Sequence, residues 1–383
     1  MRPLDREPFE APLSRTDATV TGSAASVPLH AGYRAFGAFR CLLALIVVAE
    51  HFHYLLPEQD RWPFRRWGFG IVAVDVFFAI SGFVIAEANT ETYAGRPGRF
   101  MANRLLRVLP PYWAALAASV AVHALLWRAG ALDLWDFSVT GSPVTLSSVV
   151  AGALDILPLP RRARGAVEFE FIPFAWSLRV ELLFYGVAFA AFALAAQNPA
   201  CVPARRWRAG VGVGAIAASA LAFVAFLSGR APALFGNVPF FVCGVSAYLA
   251  IERASPWAAF LGLAGAAGSV ASLFRLRVPG RAWVASEQSV LLIGLGIAFL
   301  ALARVGRLGA TWRRLDRAAG DLSYPLYLNH YVVGILFYDV TPARSLGIFT
   351  LAAVASVAFA WTMMHIVETP LKRMRNRVRG TSL

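Results

Sequence analysis

The chain has little of what soluble proteins use to face water. Only 15% of its 383 residues are charged, against about a quarter in an average soluble domain. Lysine is nearly missing, since the single lysine among 36 basic residues is Lys372. The three cysteines, Cys41, Cys201 and Cys243, are odd in number, far apart and inside or beside apolar blocks. That pattern argues against a disulfide framework and against a cysteine-based zinc site. There is no HExxH, no Cys/His cluster and no Gly-rich phosphate loop, and His51 and His53 cannot face one ion from a regular helix, so no metal is expected. The net charge of +14 is not gathered into a basic stripe with interleaved aromatics, so nucleic acid is not an expected partner. No cleavable leader is expected either, because residues 1–33 are polar and the first apolar block begins only near Cys41. The first spanning helix is therefore expected to act as its own insertion signal.

Apolar residues fill the space left by charge. They make up 58% of the chain, and the mean hydropathy is +0.58. No set of ordinary soluble domains could hide so many without leaving adhesive surface. They fall in blocks of roughly 16 to 22 residues, the length a bilayer demands of a helix. The fold class expected is therefore all-α, a polytopic integral membrane protein with about ten transmembrane helices. The spans fall at 36–56, 69–88, 106–127, 176–196, 209–228, 233–251, 256–274, 284–303, 321–340 and 345–367. They divide the chain into a polar N-terminal arm (1–33), a membrane domain (34–371) with one long extracytoplasmic loop (128–175), and a basic tail (372–383). Within the loop, 144–159 is apolar and could re-enter the bilayer, whereas Arg161–Glu170 is polar. No internal repeat stands out, which weakens a transporter built from inverted repeats. With the N-terminus inside, inner segments hold 22 of the 36 basic residues and outer segments 11. This bias places both termini in the cytoplasm, and membrane lipids are the partners of the flanking arginines.

An ionisable side chain inside a spanning helix costs roughly 2.5–3.5 kcal/mol at mid-bilayer, so each one needs a reason. In the first span Arg40 and His51 are eleven residues apart. At about 100° and 1.5 Å per residue they share a face about 16 Å apart, a cation near the inner surface and a base deep in the outer half. Glu50 stands beside His51 and Asp75 lies in the second span, in Val74-Asp75-Val-Phe-Phe…Ser81-Gly82-Phe83. Arg104 and Arg107, three residues apart, share a face at the start of the third span, where two guanidinium forks match phosphate oxygens. Ser177, Glu181 and Tyr185 recur every fourth residue in Trp176-Ser177-Leu178-Arg179-Val180-Glu181…Tyr185, making an inward polar stripe. The ninth span opens Ser323-Tyr324-Pro325-Leu326-Tyr327…His330, with its proline in the first turns. The tenth closes on Glu368-Thr369-Pro370, its helix stopping before the proline. Each feature has a plainer reading: inside-positive anchors for the arginines, an interfacial polar residue for His51, helix packing for Ser81-Gly82. The residues alone leave open an enzyme, a proton-coupled transporter or flippase, and a structural membrane subunit.

The ordered set, taken together over residues 34–371, resembles the membrane acyltransferase family often called acyltransferase 3, whose members O-acylate cell-surface polysaccharides and other acceptors. The Arg40–His51 spacing and the Arg104-x-x-Arg107 pair match the family's functional motifs. About a dozen residues follow Pro370, so the hydrolase-like domain that some members carry is not expected here. The resemblance implies a ten-helix fold in a bacterial inner membrane that takes an acyl group, acetyl by default, from acyl-CoA on the cytoplasmic side. Arg40, Arg104 and Arg107 are then the candidates for binding acyl-CoA, a donor substrate with no permanently bound cofactor. His51 is the candidate general base, with Glu50 or, from another helix, Asp75 orienting it in the logic of a triad. Ser177, Glu181, Tyr324 and His330 are expected to line the pocket for the acyl group or for a saccharide or lipid-linked glycan acceptor. The donor arrives from inside while His51 sits in the outer half, so acyl group, acceptor or both must enter the membrane interior.

Overall fold

The structure, a computed structural model, describes residues 35–132, 144–159, 169–197, 204–276, 282–305 and 309–380. The expected N-terminal arm and most of the polar stretch after residue 160 lie outside the described residues. Described secondary structure is entirely helical: α1 Gly37–Phe52, a short α2 Trp62–Trp67, α3 Phe69–Glu87, α4 Pro97–Arg128, α5 Leu146–Asp155, α6 Ala175–Ala196 and α7 Ala204–Leu227. There follow α8 Val238–Glu252, α9 Trp257–Leu276, α10 Ala282–Arg304, α11 Ala310–Val340, α12 Leu346–Met363 and α13 Thr369–Arg379. Nine described segments are long and apolar enough to cross a membrane, so the chain is an all-α, polytopic integral membrane protein.

The ninth expected span, 321–340, is the later part of α11, and it is not among the nine. Four tyrosines, Asn329 and His330 dilute its apolar character. A helix can carry them because α1, α4 and α12 all pack against it and residues 325–333 are buried without a break. Because α11 starts at Ala310, Pro325 falls in its interior rather than in its first turns, where it leaves the Asp321 carbonyl without its usual donor. The last span also differs from expectation, since the helix does not stop before Pro370. A π-turn at Met364–Glu368 links α12 to α13, and Pro370 sits in the first turn of α13, where no N–H is needed. Thr369 Oγ1 donates to Met364 O at 3.1 Å across the junction. Residues 369–379 are consequently a basic helix packed on α4.

The apolar patch at 144–159 contains the ten-residue helix α5, about 15 Å long and too short to span. Thr145 and Ser148 form a reciprocal capping box at its start. Its end is tied to α6 by the Arg179–Asp155 ion pair, and Arg179 Nε also donates to Asp155 O at 2.7 Å. Tyr112 of α4 donates its hydroxyl to Gly152 O at 2.6 Å.

Two long-range devices set the helices around the site. Phe36 offers α1 no side-chain cap. Asp316 of α11 supplies one instead, accepting the N–H of Gly37 at 3.0 Å and of Ala38 at 2.7 Å. A carboxylate there satisfies orphan donors and opposes the helix dipole. The second device is the crossing of α3 and α8, where a Cβ on Gly244 would lie 1.8 Å from Ala79 O and one on Gly82 2.2 Å from Phe241 O. Glycine is the residue that lets two helix backbones meet so closely.

Candidate active site

Helices α1, α3, α4, α6 and α11 enclose a cavity of about 90 Å³ whose charged wall is Arg40, Arg104, Arg107 and Glu181. Within this cavity three arginines face one glutamate. Arg104 is only 8% exposed. Its guanidinium lies 5.4 Å from the Phe100 ring centroid and 5.5 Å from that of Tyr185, which offers the partial compensation of ring faces. Its Nε has no hydrogen-bond partner among the described residues. Glu181 accepts from Ser81 Oγ at 3.0 Å and from the Tyr185 hydroxyl, and its charge acts on all three arginines. The stripe Ser177, Glu181 and Tyr185 thus lines one cavity together with Tyr324, whose hydroxyl donates to Val108 O at 3.2 Å.

A wider chamber of about 300 Å³ adjoins it through the shared walls Arg40, Val84, Arg107 and Tyr324. Arg317 and Arg375 join there, with Glu87, Asp316, Asp321 and Glu368 opposing them. Four bases against four acids make this chamber balanced, with Glu368 and Arg375 at 3.7 Å. Arg40 and Arg107 belong to both walls, so the two cavities together hold five arginines and five acids, and the inner one is the more positive end.

His51 lies elsewhere. It lines a third, small cavity of about 50 Å³ with Phe52, Tyr54, Leu55, Tyr331, Gly334, Ile335 and Tyr338. Its Nδ1 is 3.0 Å from Val47 O and 3.1 Å from Nε2 of His330. His330 is fully buried, with Nδ1 2.8 Å from Tyr327 O and 3.3 Å from Leu326 O. The ring of Phe174 stacks on it at 4.9 Å. Tyr327 connects this cluster to the arginine cavity, because its hydroxyl meets Ser177 Oγ at 2.6 Å in the cavity wall. Ser177 spends its own proton on Phe174 O at 2.9 Å, so the tyrosine donates.

Several sequence expectations land differently. The carboxylate partner foreseen for His51 is replaced by a second imidazole. Glu50 instead faces the start of α3, against Gly70 and the N–H groups of Phe69 and Gly70. Asp75 is fully buried on α3, outside the lining of all three cavities. His330, expected in a pocket wall, lies against His51 instead. Arg40, Arg104, Arg107, Ser177, Glu181 and Tyr324 do come together. Phe174, Asp316 and Arg375 were not singled out in the sequence. Phe174 carries no signal there, one phenylalanine among 28, whereas Asp316 could have been noticed as an acid within an arginine-rich stretch.

All of the arrangement except Glu368 and Arg375 lies within a single recognisable sequence domain. A family model described as an acyltransferase domain matches residues 33–365. The chain belongs to that acyltransferase family. This membership makes it an acyltransferase-family enzyme and sets aside the transporter and structural-subunit readings. It is 29% identical over 328 residues to the exopolysaccharide production protein ExoZ of Rhizobium meliloti, covering 81% of this chain and 92% of that one. It is 28% identical over 305 residues to BcsY of Komagataeibacter xylinus, covering 75% and 74% respectively. A shorter match, 34% over 148 residues, is to protein 2 in the picA locus of Rhizobium radiobacter, covering 38% of this chain and 74% of that one. No solved structure matches the chain.

Proposed function

We propose that this enzyme moves an acyl group, acetyl by family resemblance, from acyl-CoA to a hydroxyl of a cell-surface polysaccharide or related glycoconjugate. The observation that carries the reading is the inner cavity, where Arg40, Arg104 and Arg107 face a single acid. Buried guanidinium groups held this close, with Arg104 Nε lacking a partner among the described residues, are costly until an anion enters, and the phosphates of a CoA ester are such an anion. With both termini cytoplasmic, the wider chamber faces the cytoplasm and admits the donor, and the small cavity at His51 faces the acceptor. In the transfer step His51 Nε2 takes the proton of the acceptor hydroxyl as its oxygen attacks the thioester carbonyl. The C–S bond breaks, and the His51 cation returns its proton to the departing thiolate. The name of ExoZ, an exopolysaccharide production protein, supports a polysaccharide acceptor.

The test is equilibrium binding of acetyl-CoA and of CoA to detergent-purified protein. Wild type is expected to bind both. Arg104→Ala/Arg107→Ala should lose about 10²-fold or more in affinity, since a hydrogen bond to a charged group is worth about 1.5–3 kcal/mol. His51→Ala should bind normally and lose about 10²–10⁴-fold in transfer. Folded wild type that binds neither ligand overturns the reading.

A further inference from the structure

The two histidines have only one arrangement of protons that satisfies their surroundings when both are neutral. Backbone carbonyls accept and never donate. His330 Nδ1, 2.8 Å from Tyr327 O and 3.3 Å from Leu326 O, must therefore carry its proton. A neutral ring then leaves Nε2 of His330 as a lone pair. That lone pair, 3.1 Å from His51 Nδ1, accepts a hydrogen bond, so His51 is protonated at Nδ1, where it also faces Val47 O at 3.0 Å. The unprotonated nitrogen of His51 is Nε2. It has no hydrogen-bond partner among the described residues, and its ring lines the small cavity.

From this chain we infer that His330 is the positioning residue of the reaction, fixing the tautomer of His51 through the Tyr327 carbonyl; the inference rests on the acyl-transfer reading of His51. The part that a triad gives to a carboxylate, holding the base in the right tautomer and steadying its cation, falls here to a neutral imidazole. Burial explains the choice of residue. His330 is 0% exposed and stacked against Phe174, a place where an unpaired carboxylate is expensive and a neutral ring is not. Val47 O alone could hold Nδ1–H, but as an i−4 carbonyl it belongs to the same helix and does not tie the ring to the rest of the site. His330 ties it to α11, the helix whose Tyr324 and Tyr327 line the arginine cavity.

The experiment compares His330→Gln with His330→Asn. Glutamine places its amide oxygen near the position of Nε2, in reach of His51. Asparagine places its amide near Nδ1, keeping the bond to Tyr327 O and losing the one to His51. Initial rates are read as transfer of radiolabelled acetyl from acetyl-CoA into polysaccharide in membrane vesicles from cells expressing each full-length variant. The Gln variant should stay within about tenfold of wild type, and the Asn variant should fall by about 10²-fold in kcat with KM for acetyl-CoA unchanged. A purely structural histidine gives the reverse order or equal losses, and either overturns the inference. A second readout is independent of activity. In 15N-histidine-labelled protein, NMR should find His51 protonated at Nδ1 in wild type and in the Gln variant, and a mixture of tautomers in the Asn variant. Wild-type His51 protonated at Nε2 overturns the inference whatever the rates. The expected tautomer without acetyl transfer leaves the hydrogen-bond chain standing and overturns the acyl-transfer reading instead.

Discussion

Replacing Gly244 by alanine adds one methyl group to a protein that is 58% apolar, yet it should be among the more damaging substitutions in the bundle. The new Cβ would lie 1.8 Å from Ala79 O, 2.7 Å from Phe83 N and 2.8 Å from Ala79 C, all backbone atoms of α3. No rotamer change relieves a clash with backbone. Restoring an ordinary contact of about 3.4 Å requires α3 and α8 to part by about 1.6 Å, which loosens packing along the whole crossing. Overpacking against a yielding side chain costs about 1–3 kcal/mol; against rigid backbone the upper end, about 3 kcal/mol, is the working figure. That corresponds to a fall in melting temperature on the order of 5 °C. The consequence reaches the site, because α3 carries Ser81, the residue bonded to Glu181 in the arginine cavity. Thermal unfolding of purified protein in detergent, with CoA binding measured alongside, gives both quantities. Gly294→Ala is the control: a methyl group there would meet no heavy atom within 4 Å, and alanine is the better helix former by about 1 kcal/mol. If Gly244→Ala melts with wild type, or if the two alanines behave alike, the reasoning from close backbone approach is wrong.

Two further substitutions probe the electrostatics. Glu181→Gln removes the one acid in the wall of the arginine cavity, so the empty protein should lose about 3 kcal/mol of stability, the scale for breaking a buried charge pair. CoA should bind more tightly to it, and weaker binding in a folded variant would show that the three arginines do not receive the donor. Asp316→Ala removes the cap that receives Gly37 and Ala38 and should cost about 1–2 kcal/mol, read as a lowered melting temperature that Asp316→Asn partly restores.

The spans were legible because the bilayer writes them locally. A lipid-crossing helix must be apolar for about 20 residues wherever its neighbours are, so the expected and observed segments agree to within a few residues along most of the chain. The misses are positions where neighbours overrule that local demand. α11 begins at Ala310, eleven residues before the span expected at 321–340, and its polar residues are tolerated because other helices surround it. The last helix runs through Pro370 because a π-turn puts the proline where it does no harm.

Periodicity along one helix placed Arg40 and His51 on a common face and made Ser177, Glu181 and Tyr185 a stripe, because 3.6 residues per turn is a property of the backbone alone. It could not say which other helix that face meets. His51 and His330 are 279 residues apart in sequence, as are Gly37 and Asp316, and nothing local marks them as partners. In a membrane the outer surface of every helix is apolar, so the hydrophobic pattern does not rank one packing order above another. The charges and the helices were thus determined by the sequence segment by segment. That His51 meets an imidazole rather than a carboxylate, and that the three arginines line a different cavity, was decided only when α1, α4, α6 and α11 closed on one another.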